Sequence, residues 1–122
     1  MIRLLTTLCL TALPALAVAQ DQQQAATALG ADLRVLDKLN GIVTDVSLRQ
    51  GETATLGYLS INLQECRYPV ANPSGDAFAE LLVTYRDAEE PAFNGWLIAS
   101  APALNAMEHP RYDVWVLRCI RS

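Results

Sequence analysis

The chain has 122 residues, nine Lys and Arg against thirteen Asp and Glu, one histidine and a formal net charge of -4. That length admits one domain and excludes a multidomain enzyme. The acidic balance leaves no basic stripe for nucleic acid and no polybasic patch for a membrane surface.

Arg3 stands ahead of an apolar run, residues 4–13, followed by Pro14 and the small-residue stretch 15–19. This is the length and order of a secretory leader, and it is too short to cross a bilayer comfortably. Ala17 and Ala19 occupy the two positions that signal peptidase requires to be small, so cleavage is expected after Ala19, leaving Gln20 first. Residues 1–19 are thus read as a signal peptide, with a periplasmic product and no membrane span after cleavage. Residues 20–31 are rich in Gln and Ala, with Gly30 near their end, and offer no apolar stripe; they read as a flexible tether. Residues 32–122 read as a single β-rich domain.

Cys9 leaves with the leader, and Cys66 and Cys119 remain. An even pair in an exported chain makes a Cys66–Cys119 disulfide the expectation. The bridge would stabilise by roughly 4 kcal/mol in the chain-entropy account. There is no Cys-x-x-Cys, so a thioredoxin-like redox site has no support.

The body alternates with the period of strands. Residues 33–39 end at Asn40-Gly41, and a second run begins at Ile42; this dipeptide predicts a tight hairpin with positive φ at both turn positions. In the second run Ile42, Thr44, Val46 and Leu48 share one face. Residues 53–56 form a short β-prone piece. Along 58–64, Leu59, Ile61 and Leu63 face inward, which gives Cys66 the outward parity. Burying Cys66 in a bridge therefore demands a bulge, bend or end near Gln64-Glu65. Residues 69–76 form a loop, 78–86 and 93–99 two further strands, and 112–120 a last strand. That strand is apolar on both faces and so expected in the interior. Residues 101–108, with Ser100 as a cap and Pro102 in the first turn, predict a two-turn helix. The expected fold is mainly β: a small antiparallel sandwich or barrel of six to seven strands with one short helical insert.

From Gly95-Trp96-Leu97-Ile98 through Glu108-His109-Pro110, then Tyr112-Asp113-Val114-Trp115 and Cys119, the sequence resembles the bacterial family catalogued as domain of unknown function 2155. Leu36-Asp37-Lys38 with Gly41, and Cys66 with Pro69, are similar to that family's earlier landmarks, so the resemblance covers about residues 33 to 119. Leu97-Ile98 departs from its pattern of Met and an aromatic residue, a volume-conserving kind of swap. The resemblance implies a small exported alphaproteobacterial protein of one domain, and it carries over no catalytic or ligand residue.

Chemistry-bearing residues are sparse. His109, with Glu108 and Asp113 near it in sequence, matches no zinc spacing. Ser100 has no Gly-x-Ser-x-Gly elbow and is better explained as a cap. The glycines are scattered singly, so no phosphate loop forms and no cofactor is implied. Phe93, Trp96, Tyr112 and Trp115, with His109, form the candidate binding surface, an aromatic-floored groove beside the insert. The expected function is a non-enzymatic periplasmic module, an envelope accessory or a domain binding an envelope protein or peptide. Two alternatives stand beside it: a small hydrolase using His109 with Ser100, Glu108 or Asp113, and an inhibitor of a secreted hydrolase presenting the 69–76 loop.

Overall fold

Alternation along two segments puts Leu59, Ile61 and Leu63 on one face, and Ala79, Leu81 and Val83 on another. In the computed structural model all six are fully buried. It describes residues 10–12 and 24–122; the expected cleavage site after Ala19 and most of the leader lie outside the described residues.

Eight strands follow in chain order: β1 (Ala25–Thr27), β2 (Gly30–Asp37), β3 (Val43–Arg49), β4 (Thr53–Leu56), β5 (Leu59–Pro69), β6 (Phe78–Tyr85), β7 (Phe93–Ile98) and β8 (Tyr112–Ile120). They form two antiparallel sheets. One has the order β1-β5-β6-β7, with β4 also on β5; the other has the order β3-β2-β8. Leu59 to Asn62 pair with both β4 and β6, and Arg67 pairs with both Thr27 of β1 and Phe78 of β6, so β1 and β4 share the edge of β5 opposite β6. The inward faces of both sheets meet in one core, to which β2 contributes Ala31, Leu33 and Val35, and β8 contributes Tyr112, Val114 and Val116. The expected sandwich is what forms.

Two bulges bring the sulfurs inside. In β5 the register shifts between Leu63 and Glu65, leaving Gln64 as the extra residue, so Cys66 turns inward. In β8 Asp32 pairs Arg118 while Leu33 pairs Val116, leaving Leu117 extra, and Cys119 changes face in the same way. The Cys66–Cys119 disulfide, with Cα atoms 5.8 Å apart, therefore ties one sheet to the other.

Several expectations fail, each for a physical reason. Residues 25–31, expected within the tether, instead supply β1 and the start of β2. Leu29 N–H donates to Ile120 C=O, and a Cβ on Gly30 would sit 2.2 Å from the Leu48 carbonyl oxygen. Gly30 marks close backbone approach there, not slackness. Among the described residues there are eight strands, one more than expected, because β1 is three residues long and too short to show alternation. Pro69, expected in the loop, closes β5 opposite Ala25.

The first hairpin is wider than expected. Asp37 N–H donates to Ile42 C=O, Gly41 N–H reaches back to Asp37 C=O, and in this turn only Gly41 has positive φ, at 75°. Asn40 instead accepts the Ile42 N–H on its side chain. β8, expected in the interior, is an edge strand: its inner face meets the other sheet, and Trp115 and Leu117 line a hollow with Pro102 and Ala106 of the 101–108 segment.

Residues 101–108 form no helix; one turn at 102–105 gives way to extended chain. Eight helical residues span only about 12 Å. This segment starts beside Ile98, which pairs Phe78 at the start of β6, and ends at His109, which packs against Tyr85 at its end. Those ends are about 24 Å apart at strand rise. Extension is imposed by distance. The segment also covers the flank between β7 and β8: Asn105 donates to the Trp96 carbonyl and Met107 is buried.

Candidate functional site

The five aromatic candidates are parted by the pleat. Phe93, opposite Val83, faces the core, and Trp96, opposite Glu80, lies on the outer face of the larger sheet. Trp115, opposite Arg34, lies on the outer face of the smaller sheet, and Tyr112 points inward, 3% exposed. No single groove holds all five. Only Tyr112 and His109 come together, with ring centroids 6.0 Å apart.

What gathers around them is a cluster at one end of the sandwich. Tyr85, ending β6, packs against His109 with centroids 4.6 Å apart and planes tilted by 54°, and lies 6.0 Å from Tyr112 and 6.3 Å from Tyr58. Arg86 comes next with φ of 49°, a left-handed backbone uncommon for a side chain of this size, and its guanidinium lies 3.6 Å over the Tyr58 ring. Arg111, just before β8, reaches both carboxylate oxygens of Asp37 at the end of β2. That contact holds the Asp37 carboxyl below its usual range and raises Arg111 further above its own. Lys38 donates to the His109 carbonyl.

Beside the cluster, between the β2–β3 hairpin and the β4–β5 turn, lies a cleft of about 230 Å³. Val35, Ile42, Leu56 and Tyr112 give it apolar walls, and Arg111 and Thr44 add polar ones. Ile42, which lines it, is 58% exposed, and the exposed Leu39 and Tyr58 are chain neighbours of its lining residues Asn40 and Gly57; the exposed Val43 has the opposite parity on β3. Gly57, φ 58°, turns the chain where a Cβ would come within 2.9 Å of the Tyr112 hydroxyl.

His109 itself is committed to the backbone. Its Nδ1 accepts from the N–H groups of Arg111 and Tyr112 at 3.1 and 3.2 Å, which leaves the neutral ring's proton on Nε2. Burial, with the nearby Lys38 charge second, holds its pKa below the usual 6.5. Ser100 donates from Oγ to Asp76 at 2.6 Å and also from its N–H, at the other end of β6. Ser100 caps no helix, and it does not meet His109; about a strand length separates them. Glu108 is exposed, and Asp113 lies along the wall of a different hollow from that of Ser100. Among the described residues no group of three His, Cys, Asp or Glu side chains converges to hold a metal ion. The 69–76 loop folds on itself, with the Asn72 amide over Gly75 and the Gly75 N–H on the Asn72 carbonyl.

Tyr58, Tyr85, Arg86 and Arg111 escape a reading by motif. Their only sequence signal is that aromatic and cationic residues abut strand ends, and which ends coincide depends on pairing. No described helix is long and apolar enough to cross a membrane.

A family model described as uncharacterized protein conserved in bacteria (DUF2155) matches residues 31–119. The uncharacterized protein RP359 of Rickettsia prowazekii (strain Madrid E) is 28% identical over 87 residues. That match covers 69% of this chain and 56% of the Rickettsia protein, so the chain spans little more than half the length of that relative. No solved structure matches the chain significantly.

Proposed function

The chain belongs to the DUF2155 family of bacterial proteins, whose description names no activity, and from that premise we propose that it is an exported, non-enzymatic periplasmic domain that binds an envelope protein or peptide. One observation carries the reading: a cleft at the hairpin end is lined by the exposed Ile42, and the exposed Leu39 and Tyr58 are chain neighbours of its lining residues Asn40 and Gly57. Contiguous exposed apolar surface with a polar rim marks contact sites. The leader-like opening and the inter-sheet disulfide fit an oxidising compartment. The separation of Ser100 from His109 favours the binding reading over a hydrolase built on that pair.

Two measurements test this together. Osmotic-shock fractionation of cells should release a protein that begins at Gln20. A photo-crosslinking residue at Leu39 should give one discrete adduct, while the same residue at Thr84, on the outer face of the other sheet, gives none. A precursor retained in the cytosol, or equal labelling from both positions, would refute the proposal.

A further inference from the structure

We infer that the free edge of β3 is a strand-addition site, taking an extended peptide segment that places one apolar side chain in the neighbouring cleft. This rests on the partner-binding reading and names the kind of partner.

The hydrogen-bond alternation of β3 fixes which groups are free. Asp37 N–H donates to Ile42 C=O, and the register then runs Val35 to Thr44, Leu33 to Val46 and Ala31 to Leu48. In an antiparallel ladder these are the pairs that exchange bonds. The backbone groups of Val43, Asp45 and Ser47 therefore point away from β2, and no described strand lies beyond them. Edges of this kind are templates for pairing, and proteins blunt them by shortness, bulges, proline, lysine or a covering segment. The other edges carry such devices. β1 and β4 have three and four residues. β7 is met by Asn105, while β8 carries the Leu117 bulge and lies beside Pro102 and Ala106. β3 has seven residues, regular register and no proline, and of its two charges Asp45 is engaged by Arg34 of β2 while Arg49 stands at its end.

The cleft decides the occupant. Thr44 and Ile42 on one side and Leu56 and Gly57 on the other line it, so it opens between the β3 edge and β4. A strand added to β3 would lie across that opening, with alternate side chains turned into it. The volume of about 230 Å³ suits one aliphatic or aromatic side chain. A second copy of this chain fits less well, because the inward side chains of its β3, such as Val46 and Leu48, already pack in their own sandwich and leave the cleft unfilled. The occupant is thus a separate extended segment with apolar residues at alternate positions and no proline among those that pair.

The test uses the full mature chain with its disulfide intact and a phage-displayed library of random peptides. Selected peptides should show the alternating pattern. In hydrogen exchange they should slow the amides of Val43, Asp45 and Ser47. Asp45→Pro removes one outward N–H and the ion pair with Arg34, but no backbone bond of the β2 ladder, and should weaken binding about tenfold, whereas Asp45→Ala removes the ion pair alone and should not. Thr44→Trp fills the cleft, leaves the edge backbone intact and should weaken it as much, which keeps the test decisive if the proline variant melts early. Failure to select any peptide, protection at other strands only, or unchanged affinity in both Asp45→Pro and Thr44→Trp would overturn the inference. A dimer by sedimentation that protects the same amides would overturn it in favour of a second copy. An adduct from Leu39 in cells with no change at these amides would leave the partner-binding reading standing and remove strand addition alone.

Discussion

The imidazole of His109 caps the backbone, accepting the N–H groups of Arg111 and Tyr112 on Nδ1. Protonating Nδ1 would set a donor against two N–H groups that it now satisfies, and the surrounding burial opposes the charge. The folded pKa lies below the ordinary 6.5, so the unfolded chain binds the proton more readily. The stability from a neutral His109 is therefore complete above about 6.5 and declines as pH falls from there toward the depressed value. Melting temperatures across that window should fall with acidity in the natural protein. The same series in His109→Asn, whose Oδ1 can take the place of Nδ1, should be flatter, and parallel curves would contradict this role. The sequence shows the histidine, but not its partners, because the N–H groups of Arg111 and Tyr112 turn toward it only where the chain bends after Pro110.

At the scale of the strand, the extra residue in β5 is the adjustment that lets an apolar face and a cysteine of opposite parity share one interior. Deleting Gln64 should leave Leu63 and Cys66 both inward in a continuous ladder, with the disulfide formed. Deleting Asn62 should instead reverse the face of Leu63 and of the residues after it in the strand. Counting free thiols after denaturation checks it: none is expected in the first variant, and two in the second. This bulge is legible beforehand because Leu59, Ile61 and Leu63 fix one parity so firmly. The bulge at Leu117 is not, because the last strand has apolar residues on both faces and alternation there points nowhere. The same ambiguity gives β8 the appearance of an interior strand. The absent helix has another cause: local propensity favours a turn after Ser100, while the span to Tyr85 requires extension.

Across the whole molecule, the disulfide is, among the described residues, the one side-chain crosslink between two sheets that the backbone joins at β1–β2, β3–β4 and β7–β8 and that share an apolar core. Cys119→Ser should lower the unfolding free energy by roughly 4 kcal/mol, a large part of the 5–15 kcal/mol typical of a domain. Urea titration of the two proteins measures it, and a difference near zero would mean that packing alone holds the sandwich. Strand number and class are largely visible in the pattern of side chains. Sheet order is not, since alternation states which face is buried and never which strand is the neighbour. The gathering of Asp37, Tyr58, Tyr85 and Arg111 at one end, and the solitary edge of β3, both arise from that order.

The placement of Cys119 on β8 also sets a sequence of events. A chain emerging with its N-terminal segments first can pair β5 with β6 and β2 with β3 early, yet the latch has no second half until the last strand arrives. Until then β2 has only β3 beside it, and Cys66 waits as a thiol, open to capture by any oxidant or mispairing partner. The order of delivery thus makes closure of the sulfur bridge a report that the entire domain has come through.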